Sequence, residues 1–203
     1  MAGCVSMAAN ATTITVNGTG TDGLFWSYWH SGGGTASLTL NGGGAFASSW
    51  GSVGDVTMGK GWNPGSARQC GYNAGYYSNN GGGTAGMYGW TDNAQTEWYV
   101  NEFWHSNPQG SGTKFASLSS DGGSYNCYRL LLTGSSPKGS IQFWQLNSTR
   151  TAMNTTGANH GINTGNHFYA WKSGGTAIGS TFRMMFFSTE GWGGSGGANV
   201  SVW

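Results

Sequence analysis

Three glutamates, Glu97, Glu102 and Glu190, are the only ones in this chain of 203 residues. Glu97 and Glu190 fall among aromatic residues in segments that alternate apolar and polar side chains, as half-buried strands do. Burial disfavours a charged carboxylate, so the pKa rises and the group can hold a proton as a general acid. One such glutamate is more often a salt-bridged structural residue. Two of them, in a chain with only eight Lys and Arg, favour catalysis.

The aromatic content favours a carbohydrate as the partner. Phe, Trp and Tyr make up 14% of the chain, and 11 residues are Trp. Such rings stack on the C–H faces of sugars, while Asn, Gln and Tyr can bond the sugar hydroxyls. A single Trp is by default a core residue, but this number exceeds what one core uses.

Charge excludes several other classes of function. Charged residues make up 7% of the chain and the net charge is +1, whereas an ordinary soluble domain has about 25% charged residues. A nucleic-acid phosphate backbone or an acidic membrane surface is therefore disfavoured as a partner. No apolar stretch is long enough to span a bilayer. Neither a Cys-x-x-Cys nor a His-Glu-x-x-His spacing occurs, so we expect no metal site. Catalysis by two carboxyls requires no cofactor.

The three cysteines, Cys4, Cys70 and Cys127, allow one disulfide plus a free thiol, or three thiols. Residues 1–10 lack the basic-then-apolar form of a signal peptide, and we interpret them as a mature start. The expected secretion therefore rests on other features, such as Asn-x-Ser/Thr sites, which are weak indications.

Period-two alternation and glycine clusters predict an all-β fold. Along 97–104, the alternation places Glu97, Tyr99, Asn101 and Phe103 on one strand face, with Glu102 on the other. A second long strand over 182–190 carries Phe182, Met184, Phe186, Ser188 and Glu190 on one face. Residues 166–173, followed by two glycines, predict a single helix. A sandwich or jelly roll of two antiparallel sheets with one helix follows.

Several motifs in order resemble family 11 of the glycoside hydrolases, the compact xylanases. They begin with Trp29 before Gly32-Gly33-Gly34, and continue with Gly59-Lys60-Gly61-Trp62, Tyr88-Gly89-Trp90, Glu97-Trp98-Tyr99, Ser188-Thr189-Glu190-Gly191-Trp192 and Asn199-Val200-Ser201-Val202-Trp203. The resemblance covers residues 21–203, and we treat residues 1–20 as an N-terminal segment with the first strand of the same single domain.

The resemblance implies a jelly roll of two curved antiparallel sheets with one helix. It also implies an endo-β-1,4-xylanase that acts on xylan or xylo-oligosaccharides as a secreted monomer. Glu97 would be the nucleophile of a retaining mechanism, and Glu190 the acid and then the base. Asp55 matches a position beside the acid/base residue where an aspartate accompanies an acidic pH optimum, since a proton shared with Glu190 is lost as pH rises.

The same resemblance implies the residues that bind substrate. Trp29 would stack on a xylose, Tyr88 and Tyr99 would lie near the nucleophile, Trp90 would flank the cleft, and Gln142 would be a cleft glutamine. The mobile hairpin called the thumb would have Ser136 and Pro137 near its tip.

Two differences from the family put substrate affinity in question. The thumb is several residues short, and Leu132 and Met184 stand where the family usually has a sugar-contacting arginine and a cleft tyrosine. A glycan-binding jelly roll without catalysis is the alternative function, but such a protein needs no pair of glutamates.

Overall fold

The structure is a computed structural model that describes residues 11–106 and 112–203, and within them it has fifteen strands and one helix. The strands are β1 (Thr12–Ile14), β2 (Gly18–Thr19), β3 (Phe25–His30), β4 (Thr35–Leu40), β5 (Ala45–Gly51), β6 (Val56–Trp62), β7 (Gln69–Asn79), β8 (Gly82–Asp92), β9 (Thr96–His105), β10 (Thr113–Ser120), β11 (Gly123–Ser136), β12 (Gly139–Arg150), β13 (Asn159–Asn163), β14 (Thr181–Trp192) and β15 (Ser195–Val202). The helix is α1 (Thr164–Ser173).

The strands form two sheets, which confirms the predicted all-β fold with one helix. The smaller sheet has the order β1-β4-β5-β15-β7-β13, and the larger sheet the order β10-β11-β12-β9-β8-β14-β6-β3-β2. The main core cluster draws on both sheets, with Phe46 and Val200 from the smaller and Trp98 and Phe187 from the larger. A second cluster around Tyr99 and Phe186 lies on the opposite face of the larger sheet.

One strand pair departs from the antiparallel prediction. β12 runs parallel to β9, with Gln145 opposite Glu97 and Asn147 opposite Tyr99. A parallel pair needs a long connection between its strands, and here β10 and β11 supply it. The register therefore places the side chains of Gln145 and Asn147 on the same face of the sheet as those of Glu97 and Tyr99.

The helix begins at Thr164, two residues before the predicted start. Asn163 is its N-cap and makes no side-chain capping bond, whereas Asn166 lies within the first turn and donates to Ser120 Oγ at 3.0 Å. The predicted glycine stop is confirmed, because the Gly174 and Gly175 N–H groups bond the last turn. Trp171 is fully buried and joins α1 to the core.

Two β-bulges overturn part of the predicted alternation. The register of β9 against β8 shifts beyond Asn101, so Phe103 packs into the main core instead of lying on the face of Glu97. In β14 the register shifts between Phe182 and Met185, and the Phe182 ring packs on Phe168 of the helix. A bulge adds one residue to one strand, which reverses the face of every side chain beyond it.

The predicted structural role of Glu102 is supported by its contacts. The side chain is fully buried and accepts bonds from Tyr125 (2.5 Å), Tyr72 (2.8 Å) and Asn154 (3.0 Å). The guanidinium of Arg150 lies 3.3 Å from the same carboxylate. Tyr72 belongs to the smaller sheet and the other donors to the larger sheet or its connections, so the cluster ties the two sheets together.

Cys70 and Cys127 are buried free thiols, and Cys4 lies outside the described residues. Among the residues that the structure describes, no helix has the length and apolar character to cross a membrane. The same residues contain no cluster of three or more His, Cys, Asp or Glu side chains that could hold a metal ion.

Candidate active site

A cleft of about 550 Å³ opens on the face of the larger sheet that carries the second apolar cluster. Its floor consists of side chains from β6, β8, β9, β12 and β14, and the β11–β12 hairpin forms one side. Glu97, Glu190 and Asp55 all line this cleft. No Lys or Arg is among the described lining residues, so only neutral groups offset the three carboxyls.

Glu97 points from β9 into the cleft and is 9% exposed. Its Oε1 accepts hydrogen bonds from the Tyr88 hydroxyl (2.9 Å) and the Tyr99 hydroxyl (3.2 Å), and its Oε2 accepts one from Gln145 Nε2 (2.8 Å). Burial raises the pKa of Glu97, while the Gln145, Tyr88 and Tyr99 donors act in the opposite direction and favour the ionised form.

Glu190 lies on β14 and is 8% exposed. The Tyr99 hydroxyl, 3.4 Å from Glu190 Oε1, is the hydrogen-bond partner found for this carboxyl among the described residues, and its single proton is shared with Glu97. Burial raises the pKa of Glu190 well above its usual range, and the neighbouring Asp55 and Glu97 carboxylates raise it further. Glu190 therefore has fewer hydrogen-bond donors than Glu97 to favour its ionised form.

Tyr99 fixes how far apart the two carboxyls can be. Its hydroxyl is within hydrogen-bond distance of Oε1 of both Glu97 and Glu190. The two oxygens are therefore at most two hydrogen-bond lengths apart, and closer if the angle at the hydroxyl is bent. Such an arrangement places the two carboxyls close enough to act on the same bond of a substrate.

Asp55 lies directly before β6 and lines the cleft with Glu190. Burial raises the pKa of Asp55 to about 6, although the Val56 N–H donates to the carboxylate and favours ionisation. Its Oδ1 is buried and has no hydrogen-bond partner among the described residues. A proton shared between Asp55 and Glu190 therefore stays a prediction.

The predicted substrate-binding residues, except Gln142, line the cleft. Trp29 is 43% exposed and presents a ring at the cleft edge, as stacking requires. Trp90 is only 3% exposed; its indole N–H bonds the Tyr88 hydroxyl and its ring packs edge-on against Phe143 at 4.8 Å. Trp90 is thus placed to support the Tyr88–Glu97 contact more than to present a ring face.

The structure does not bring Gln142 into the cleft lining. Gln142 is exposed and absent from the cleft lining, whereas Gln145, three residues further along β12, lines the cleft and bonds Glu97. Residues three apart on a strand point to opposite faces. Phe143 is buried in the cleft cluster and shares its face with Gln145, so the alternation around Phe143 was the pattern that could have identified Gln145.

The β11–β12 hairpin contributes Ser136 and Pro137 to the cleft, as predicted for its tip. Pro137 and Lys138 form the turn, and Gly139 follows at φ 93°, a conformation that favours glycine. The Lys138 ammonium lies 3.0 Å from Asp92 at the end of β8. Asp92 is also paired with Arg183 of β14 at 2.8 Å. Ion pairs therefore connect the hairpin tip to β8 and, through Asp92, to β14.

Leu132 and Met184 both line the cleft and pack against its apolar cluster. Neither side chain can donate a hydrogen bond to a sugar hydroxyl. Polar side chains elsewhere in the cleft lining that the sequence analysis did not single out as site residues are Asn17, Thr57 and Thr133.

Comparison with known proteins identifies the family to which the chain is similar. Glycosyl hydrolases family 11 matches residues 21–201. A curated relative named endo-1,4-β-xylanase I, from Cochliobolus carbonum, is 37% identical over 97% of this chain and 91% of its own length. Endo-1,4-β-xylanase 11A of Botryotinia fuckeliana is 36% identical over 93% of this chain and 83% of its own length. A probable endo-1,4-β-xylanase B of Aspergillus clavatus is 36% identical over 98% and 88%, respectively.

Proposed function

Because the chain belongs to family 11 of the glycosyl hydrolases, we propose that it is an endo-1,4-β-xylanase that cleaves xylan with retention of configuration. The xylan substrate is supported by relatives at 36–37% identity that carry this name. The observation that carries the mechanism is the Tyr99 hydroxyl, which reaches both Glu97 and Glu190. Retaining enzymes need carboxyls about 5–5.5 Å apart, and inverting enzymes need about 6.5–9.5 Å. A single hydroxyl within 3.2 Å of Glu97 Oε1 and 3.4 Å of Glu190 Oε1 limits the distance between these oxygens and supports the shorter separation.

The two glutamates divide the reaction according to their surroundings. Glu97, with donors on both oxygens, is the carboxylate that attacks the anomeric carbon. As the glycosidic C–O bond breaks, the proton of Glu190 passes to the leaving oxygen. A water then attacks the anomeric carbon, its proton returns to Glu190, and Glu97 leaves as a carboxylate. The net reaction consumes one water for each bond cleaved.

We further propose an acidic pH optimum, action outside the cell, and a monomeric state. The acidic optimum is supported by Asp55, whose pKa is raised to about 6 and whose carboxylate acts on Glu190. Action outside the cell is expected because an insoluble wall polymer is met there.

The test is release of reducing ends from beechwood xylan between pH 3 and 8 by the wild type, Glu97→Ala and Glu190→Gln. We expect an acidic maximum for the wild type and loss of activity in both variants, since each lacks one partner of the pair. The anomer formed first, followed by ¹H NMR, is expected to be β. An α product would contradict retention. Binding to insoluble xylan by a folded wild type without any release of reducing ends would favour a glycan-binding protein.

A further inference from the structure

Behind the glutamine that bonds the nucleophile lies a second amide. Asn147 is on β12, two residues after Gln145, and is 4% exposed. Its Nδ2 donates to Gln145 Oε1 at 3.1 Å, and Gln145 Nε2 donates to Glu97 Oε2 at 2.8 Å. Asn147 is absent from the cleft lining, so it reaches the site only through Gln145.

The two ends of a glutamine amide have nearly the same shape and opposite chemistry. The NH₂ end donates to a carboxylate, whereas the carbonyl end would place an acceptor against an acceptor. An isolated Gln145 could present either end to Glu97. The NH₂ group of Asn147 donates a hydrogen bond to the side-chain carbonyl oxygen of Gln145. Only the NH₂ end of Gln145 is then directed at Glu97.

We propose that Asn147 is a positioning residue that fixes the orientation of the Gln145 amide and thereby keeps a hydrogen-bond donor on the nucleophile Glu97. The proposal deepens the function proposed above and rests on Glu97 as the nucleophile. The parallel register supports it, because Gln145 is opposite Glu97 and Asn147 is opposite Tyr99. The backbone ladder therefore holds both amides on the face of the nucleophile.

Glu97 depends strongly on such neutral donors. The titratable groups that face it are Tyr88 from β8, Tyr99 from β9, Glu190 from β14 and Asp55 from the segment before β6. No cation lines the cleft in the described part of the chain. Burial and the Asp55 carboxylate raise the pKa of Glu97, and Gln145 is among the three donors that lower it. A reversed Gln145 would remove one donor and add a repulsive oxygen.

Asn147→Leu and Asn147→Asp test the proposal. Leucine leaves the Gln145 carbonyl without a partner, and aspartate is an acceptor of the same shape that would attract the NH₂ end away from Glu97. We expect the acid limb of kcat/KM to move to higher pH in both variants, because Glu97 must be ionised to react. The acid limb is expected to shift further in Asn147→Asp than in Asn147→Leu. In Asn147→Asp, kcat is expected to fall up to about tenfold with KM little changed, because one charge-assisted hydrogen bond is lost.

A readout independent of activity is the titration of Glu97 itself. With three glutamates in the chain, ¹³C-labelled glutamate gives few carboxyl resonances, and Glu97→Gln identifies the one that belongs to Glu97. Its pKa is expected to rise in both Asn147 variants. Asn199→Leu, an exposed asparagine on β15 of the other sheet, is the matched control and is expected to leave the titration unchanged.

A double-mutant cycle separates positioning from general damage. In a Gln145→Leu background, Asn147→Leu is expected to add no further shift, since no amide remains to orient. An unchanged Glu97 titration in both Asn147 variants, or an equal shift in the absence of Gln145, would overturn the proposal. Should Asn147→Leu fail to fold, the near-isosteric Asn147→Asp carries the test. An altered titration in a protein that does not cleave xylan would refute the proposed function and leave the positioning role intact.

Discussion

Glu97 and Glu190 are buried to nearly the same degree, 9% and 8% exposed, yet their hydrogen bonds differ. Glu97 accepts from three donors on two oxygens, and Glu190 shares the Tyr99 hydroxyl with it. Donors to a carboxylate favour its ionised form. Two residues of one type can therefore take opposite protonation states on one sheet face, which is the condition that a nucleophile and a proton donor require.

Asp55→Asn is expected to move the basic limb of kcat/KM to higher pH. In the wild type, the basic limb is expected to follow loss of the proton that Asp55 shares with Glu190, and burial raises the pKa of Asp55 to about 6. An amide keeps its N–H at every pH, so the limb would then follow Glu190. Removing the Asp55 charge lowers the pKa of Glu190, but burial is the larger cause of its elevation and persists. Kinetics with a soluble xylan across pH 3–9 measure the limb, and an unmoved limb would refute a role for Asp55.

Gln145→Leu and Gln142→Leu form a matched pair on β12. The first variant removes a donor from Glu97 and is expected to raise its pKa, moving the acid limb up and lowering kcat/KM about tenfold. The second changes an exposed side chain on the opposite face and is expected to leave the pH profile unchanged. Equal losses in the two variants would contradict the assignment of Gln145 as the cleft glutamine.

Among the elements, the β11–β12 hairpin forms one side of the cleft. It lines the cleft with residues from Leu132 to Pro137. Its tip has one ionic contact with the rest of the sheet, between Lys138 and Asp92. The Lys138 side chain is 45% exposed, and an exposed ion pair contributes about 0.2–1 kcal/mol. The tip is therefore held weakly compared with the strands beneath it.

Lys138→Met is expected to raise KM up to about fivefold with little change in kcat, because releasing the tip costs no more than one exposed ion pair. Asp92→Asn removes the partner of Arg183 as well, so the double variant is expected to be no worse than Asp92→Asn alone. Lys114→Met removes an exposed lysine from β10 and serves as the control. A fall in kcat with unchanged KM would show that the tip acts on the chemical step instead.

How far the sequence predicted these elements depends on where the alternation is regular. Glu97 and Tyr99 share a face of β9, and Glu190 shares a face of β14 with Phe186, as the regular alternation of these stretches predicts; all four line the cleft. Phe103 and Phe182 lie beyond bulges, which no local pattern indicated. A bulge forms where two strands pair across a long sequence separation, so its position depends on the partner strand. The parallel pairing of β12 with β9, which brings Gln145 to Glu97, also joins strands far apart in the sequence, so no local pattern predicted it.

At the scale of the whole molecule, β9 contributes to both sides of the larger sheet. It carries Glu97 into the cleft and Glu102 into the interior between the sheets. Glu102 balances the buried Arg150 and accepts from tyrosines of both sheets. The two carboxylates therefore have opposite consequences for folding. Glu102 completes a buried network, whereas Glu97 is held at a cost in stability.

Glu102→Gln and Glu97→Gln are expected to change stability in opposite directions at pH 7. Loss of Glu102 leaves Arg150 buried without its counter-charge, at a cost of about 3–5 kcal/mol, or roughly 10 °C in Tm. Glu97 has a raised pKa in the folded state, so its contribution falls as pH rises above the ordinary glutamate value. Removing its charge should leave Tm unchanged or higher. Calorimetry of both variants measures the change in Tm. A large loss of Tm in Glu97→Gln would contradict the prediction that the charge of Glu97 destabilises the fold.

Because an ion pair holds the hairpin tip, the salt concentration of the solution affects the cleft. The sheets are held by backbone ladders and apolar packing, which added electrolyte scarcely weakens, whereas Lys138 and Asp92 attract each other through partly exposed charge. Salt near 1 M reduces the reach of such charges to about 3 Å. Concentrated brine would therefore loosen the side of the cleft while the fold stays intact. The salt concentration would then affect how readily a long polymer chain enters and leaves the cleft.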